Sequence, residues 1–189
     1  MNRSELLELI FTDVQARDGG QDIDSFHDDA SRVRYMKSEI RRMYFNKGEK
    51  LFRFTLWMRI HENTKRMSPL WLFGTFMYKR EIKRSGVHLS CPVGTHFHVV
   101  HESDSYLNAA SIGNHFTVYQ GVTLGVDGKG GKPVIGDHVT VYTNAVICGD
   151  IHIGDHCVIG ANAFVNRDMP AHSMAIASTI IKQPRKSSE

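Results

Sequence analysis

Cysteine is scarce in this chain. Cys91, Cys148 and Cys157 are too few and too scattered for a disulfide framework, and they point to a reducing compartment. No apolar run is long enough to cross a bilayer. The most apolar late stretch, SPLWLFGTFMY, falls well short of the roughly 20 residues a spanning helix needs and offers at most a peripheral membrane contact. The first residues, MNRSELLELIFTDVQARD, carry acids inside their apolar run, so no signal peptide is expected and the default location is cytoplasmic. Neither sign of charge dominates. The net charge of +3 comes without a concentrated Lys/Arg stripe, and nucleic acid is not an expected partner. GKGGK is no phosphate loop either, since its spacing is wrong and no Ser/Thr follows. A hydrophobic content of 41% against 23% charged residues excludes a disordered chain, and 189 residues suffice for one domain plus a helical extension.

Two grammars divide the sequence. Residues 1–85 read as helical. Ser4 is placed to cap a first helix carrying Leu6, Leu7, Ile10 and Val14, which Gly19-Gly20 would stop. Further periodic runs cover roughly residues 30–45, 50–63 and 71–83, and their apolar stripes are expected to pack helix on helix.

After Gly86 the period becomes six. Ile135, Val141, Ile147, Ile153, Ile159 and Val165 are six consecutive β-branched residues in one register. The residue four further on is usually small, at Val139, Ala145, Cys157 and Ala163, with Ile151 the exception. The period also holds at Val87, Val93 and Val99 and at Ile112, Val118 and Leu124, with phase slips near residues 100–111 and at GVDGKGGKP. A helix needs a period near 3.6, so a sixfold period fits a parallel β-helix of triangular coils. Eighteen residues make one coil. Val141 should therefore stack on Ile159, and Ile147 on Val165, burying a column that no single repeat could bury.

With these repeats the chain resembles the hexapeptide-repeat acyltransferases, in particular serine acetyltransferases and the O-acetyltransferases of surface-polysaccharide synthesis. The resemblance rests on Val87-His88, Val93-Gly94 and Val99-Val100-His101, on QGVTLG (residues 120–125), on the loop ending at Lys132-Pro133, and on the tail NRDMPAHSMAIAST. It implies a mainly β, left-handed parallel β-helix over residues 86–182, an α-helical N-terminal region over 1–85 and a flexible tail over 183–189. Family active sites lie between neighbouring coils of a trimer. A homotrimer is therefore implied, or a dimer of trimers if the helices also pair.

The same resemblance assigns candidate roles. His101 falls where the family keeps its catalytic histidine. A neutral imidazole can take the proton of an attacking hydroxyl, which contributes roughly 10²–10⁴-fold. Asp104, ahead of Glu102, is the carboxylate expected to orient it. Lys132 or backbone N–H groups would meet the oxyanion. Gly125, Thr143 and Ala161 would line the edge that holds acetyl-coenzyme A, with Lys182 or Arg185 at its phosphate. His88, Val100 and Glu102 are the acceptor-side candidates. Val100 replaces the family's aspartate and Lys132 a second histidine, and these departures weaken the case for an amino-acid acceptor.

The leading expectation is thus an acetyl-coenzyme A-dependent O-acetyltransferase acting on a sugar hydroxyl. Serine O-acetylation is the first alternative, and a non-enzymatic or metal-binding scaffold the second. No metal is expected. His96 and His98, two apart, would share one side of a strand and could chelate, but they read as solvent-facing or trimer-contact residues. His115, His138, His152, His156 and His172 read as surface positions.

Overall fold

The computed structural model describes residues 1–18, 25, 28–45, 50–101 and 103–177. Four helices come first: α1 (Arg3–Asp18), α2 (Asp29–Phe45), α3 (Lys50–Asn63) and α4 (Pro69–Ser85). The helix α1 is capped two residues earlier than the sequence suggests. Asn2 Oδ1 accepts from Ser4 N and Glu5 N, both at 2.9 Å, and Glu5 Oε2 accepts in return from Asn2 N at 2.8 Å. Gly19-Gly20 lies outside the described residues. At α4 the signals agree with the geometry. Ser68 accepts from Trp71 N, Pro69 opens the helix, and Gly86 ends it at φ 70°, in the left-handed region that glycine enters without strain.

Thirteen short strands follow, all paired in parallel. They stack into three faces. The first face holds β1 (Val87–Leu89), β3 (Ser105–Leu107), β6 (Thr123–Gly125), β9 (Val146–Cys148) and β12 (Phe164–Val165). The second holds β4 (Ser111–Ile112), β7 (Val134–Ile135) and β10 (His152–Ile153). The third holds β2 (His98–Val99), β5 (Thr117–Val118), β8 (Thr140–Val141), β11 (Val158–Ile159) and β13 (Met174–Ala175). This is a parallel β-helix. Val141 pairs with Ile159 and Ile147 with Val165, as the sixfold register requires. The inward aliphatics Val99, Val118, Val141 and Ile159 are fully buried. The corner residues Ala145 and Cys157 are buried as well, but the slot is not confined to small side chains, since Phe97 and Phe116 stack fully buried in the column that holds Val139 and Cys157. All three cysteines are free.

Helices α3 and α4 share an apolar core with the coils, while α1, α2 and the other side of α3 pack a second one around Phe11, Met36 and Phe52. Leu51, Phe54, Trp57 and Met58 of α3 and Met77 and Tyr78 of α4 pack in the cluster that contains Val87, Phe97 and Val99. A polar clamp sits at the same junction. Arg59 of α3 donates to both carboxylate oxygens of Asp13, at 2.9 and 3.1 Å, and to the carbonyls of Val93 and Gly94. Asp13 also accepts from Phe97 N at 2.9 Å. Both side chains are almost wholly buried. Burial pushes the Asp13 carboxyl upward, and the bonds and charge of Arg59 pull it back.

The corner between the second and third faces carries a repeated unit, Gly-Thr-His, Gly-Asn-His and twice Gly-Asp-His, at Gly94, Gly113, Gly136 and Gly154. The middle residue bridges coils: Asn114 Oδ1 accepts from Thr95 N, Asp137 Oδ1 from Asn114 N and Asp155 Oδ1 from Asp137 N, at 2.6–2.9 Å. A side chain at Gly113 would collide with this bridge, since its Cβ would lie 2.3 Å from Asp137 Oδ1 and 2.6 Å from Gly136 O. The histidines form a ladder. His96, His115, His138, His156 and His172 stack in order with ring centroids 4.0, 4.3, 4.6 and 4.8 Å apart and planes within 15°. All five sit at φ between 55° and 60°. Histidine tolerates that region better than most residues.

The ladder makes acid stability testable. Desolvation, then the neighbouring rings, hold His96 and His115 below the ordinary imidazole range. Burial, with Arg17 close by, lowers His98 to about 4. An unfolded chain takes up these protons near pH 6.5, where the fold resists them. The contribution is therefore complete above about pH 6.5 and is lost as pH falls from there towards 4. Glu62, pushed up to about 7 by burial, and the raised Asp13 work in the opposite sense, so the histidine contribution is the part of the urea-midpoint decline below about pH 6.5 that a histidine variant removes. The carboxylates Asp127 and Asp137 are held low and titrate below that window. His115→Asn, which keeps the backbone conformation, should flatten the decline; an unchanged slope would show that the ladder does not cause it.

Candidate functional site

The strands of the third face end at a corner that leads to the first face. His101 lies two residues beyond the buried Val99. Gln120, Thr143 and Ala161 lie two residues beyond Val118, Val141 and Ile159, which pair in one stack. One edge of the prism therefore carries His101, Gln120, Thr143 and Ala161 on successive coils. The edge is held by backbone bonds: Asn144 N donates to Gln120 O at 3.0 Å, and Asn162 N to Thr143 O at 2.9 Å. The strand end under His101 is fixed twice. Val100 N donates to Val118 O at 2.9 Å, and the Arg17 guanidinium donates to Val99 O at 3.2 Å. His101 itself is exposed, with Tyr119 edge-on at 5.9 Å, and Tyr119 stacks on Tyr142 at 4.7 Å.

Gln120 is the residue that the sixfold reading passed over. Its Oε1 is buried and has no hydrogen-bond partner among the described residues. A buried acceptor left unpaired costs about 1–3 kcal/mol, and it invites a donor from outside the chain. The signal was present in QGVTLG, but a glutamine in a motif does not reveal that its carbonyl lacks a partner.

Residues 132–167 match the family model described as bacterial transferase hexapeptide (six repeats). The match covers the later coils of the β-helix. A serine acetyltransferase of Staphylococcus aureus is 36% identical over 103 residues, 51% of this chain and 48% of that one. One from Helicobacter pylori is 47% identical over 70 residues, 35% of this chain and 41% of its own. The chain thus spans less than half the length of these curated relatives. Among solved structures, a serine acetyltransferase in complex with cysteine aligns over 98% of this chain and 69% of its own, with TM-score 0.64 and 17% identity. Serine acetyltransferase isoform 3 of Entamoeba histolytica, also with cysteine, covers 97% and 62% at TM-score 0.59 and 22% identity. At these identities the structures speak for the fold, helices included.

The other candidates are dispersed. Asp104 does not reach His101 by any hydrogen bond among the described residues. Its carboxylate lies instead against Gly86, where a Cβ would come within 3.1 Å of Oδ1. Its own φ of 26° turns the chain there. Lys132 sits on a different edge, at the corner between the first and second faces, just before β7. One protomer therefore does not bring Lys132 and His101 together. Gly125 ends β6 and pairs with Cys148 on the next coil. His88 is exposed on the first face and stacks on Tyr106 at 4.6 Å with planes 2° apart. Glu102, Lys182 and Arg185 lie outside the described residues.

His96 and His98 do not share a strand side, contrary to their spacing. His96 occupies the left-handed corner and belongs to the ladder, while His98 opens β2. Alternation applies only inside a strand, and this strand is two residues long. Among the described residues no group of three His, Cys, Asp or Glu side chains is placed to hold a metal ion. No helix among them is long and apolar enough to cross a membrane.

Proposed function

We propose that the chain is an acetyl-coenzyme A-dependent O-acetyltransferase with His101 as general base. The observation that carries this is the edge bearing His101, Gln120, Thr143 and Ala161, taken with relatives that are serine acetyltransferases. Small side chains at Thr143 and Ala161 leave that edge open to an extended arm, and Gly125 ends a strand close to the loop of residues 126–133. The unpartnered Gln120 Oε1 offers an acceptor on the same edge. These residues fit the pantetheine arm of coenzyme A, which would supply the acetyl group as a thioester. His101 would take the proton of the acceptor hydroxyl on an imidazole nitrogen and pass it to the departing thiolate, so that one ester forms as one thioester breaks. Lys132 would belong to such a site only if a neighbouring copy contributes it, as in the homotrimer that the family resemblance implies.

The relatives favour serine as the acceptor over the sugar hydroxyl suggested by sequence. A second reading keeps the sugar, because Val100 and Lys132 stand where the family carries acidic and imidazole groups. Release of free coenzyme A with serine, and separately with nucleotide sugars, decides between them. Serine alone should raise release at least tenfold over background, since an unpaired hydroxyl or ammonium contact separates acceptors by more than that. Release only with a sugar would select the second reading, and release with neither would reject both.

A further inference from the structure

The helix α4 presents two chemistries on its outer side. Its inner side buries Gly74, Met77, Tyr78 and Glu81. Its first half leaves large apolar side chains in the open: Leu72 is 50% exposed, Phe73 53% and Phe76 64%. An aromatic row extends this patch. Phe73 lies 5.4 Å from Trp57, Trp57 6.3 Å from Tyr44, and Tyr44 5.2 Å from Phe45, which is 71% exposed at the end of α2. The second half of α4 exposes Lys79, Arg80, Lys83 and Arg84. A groove beside Phe45 is lined by Arg34, Lys37, Arg41 and Arg42.

Charge is distributed to match. Residues 31–85 hold fifteen Lys/Arg and four Asp/Glu, whereas residues 86–189 hold six and eight. The net +3 therefore balances an acidic stretch, residues 1–30 with two Lys/Arg and eight Asp/Glu, against a strongly basic segment over residues 31–85. Two of its four acids are already engaged: Glu81 with Arg80 at 3.2 Å and Glu39 with Arg42 at 2.8 Å.

We infer that the outer face of α4 and the end of α2 dock on an anionic membrane surface. A lipid interface accepts both parts at once: apolar side chains enter the acyl boundary while Lys and Arg reach phosphate headgroups. A second copy of the chain meeting this face with its own would set basic rim against basic rim. A nucleic acid would satisfy the cations but leave the exposed Leu and Phe in water. The surface is independent of the acyl-transfer reading, since His101 lies on another part of the fold.

Flotation of the full chain with vesicles tests this. Phosphatidylcholine vesicles containing about 30% phosphatidylglycerol should carry the protein, and pure phosphatidylcholine should carry at least about tenfold less. Raising salt to about 0.5 M should weaken binding. Lys79→Glu with Lys83→Glu should lower the partition constant by well over tenfold, at about fivefold for each charge removed. Phe73→Ser with Phe76→Ser, both exposed and hence compatible with folding, should lower it at least tenfold with an unchanged circular dichroism spectrum. Equal partition to neutral and anionic vesicles would overturn the inference. So would inert vesicles alongside tight binding of an RNA oligonucleotide. So would inert vesicles with a serine variant whose mass drops to that of a smaller oligomer, which would make the face a contact between copies.

Discussion

His101→Ala should reduce coenzyme A release by about 10²–10⁴-fold, the range that a positioned general base contributes. Because His101 is exposed and its one ring contact among the described residues is Tyr119, edge-on, the melting temperature should not move. That combination separates a chemical role from a structural one. Binding of coenzyme A to the variant should survive, because Thr143 and Ala161 sit on later coils. A variant retaining more than about a tenth of the parent rate would remove His101 from the reaction and leave the edge without its base. Gln120→Ala, on the next coil, is the natural companion, since it deletes the unpartnered carbonyl without touching the imidazole.

Asp13→Ala should cost about 3–5 kcal/mol of folding free energy, the usual penalty for leaving one charge of a buried pair alone. In a chain of this size that corresponds to a fall of roughly 10 °C in melting temperature. The loss is large because three donors depend on that carboxylate: two from Arg59 and the amide of Phe97. Replacing both partners by apolar side chains, Asp13→Leu with Arg59→Met, should recover part of it. Recovery should be incomplete, because the Val93 and Gly94 carbonyls then lose the guanidinium. Urea unfolding of the single and double variants measures the coupling. A single variant within about 1 kcal/mol of the parent would show that the clamp does not hold α1 and α3 to the first coil.

The stack of coils was legible because each rung depends on one residue type at one interval. Val141 over Ile159 and Ile147 over Val165 follow from counting alone. Helix bounds at Lys50–Asn63 were readable for the same reason, with apolar period and polar ends agreeing. Contacts without a period were not readable. Asp13 and Arg59 are 46 positions apart, and nothing local marks either as buried. The histidine ladder was readable in principle, since Gly-x-His recurs at four corners. The sixfold column of inward aliphatics does not reveal it, because the corner side chains lie outside that column. The site divides likewise: the position of His101 could be counted, whereas the turning of Asp104 towards Gly86 depends on one backbone angle.

The loop of residues 126–133 carries one more consequence. Ile112 pairs with Ile135, Val118 with Val141 and Leu124 with Ile147, each 23 positions apart, whereas Val141 and Ile159 are 18 apart. All five additional residues are absorbed at one corner. The loop also closes on itself, with Asp127 Oδ1 accepting from Lys129 N and Gly131 N, both at 2.9 Å. It is therefore a detachable module: the ladder of coils keeps its count whatever the loop contains. Sequence can be grafted, lengthened or exchanged there at little entropic expense. Selection can thus retune what the loop meets, Lys132 included, while the scaffold beneath it stays the same.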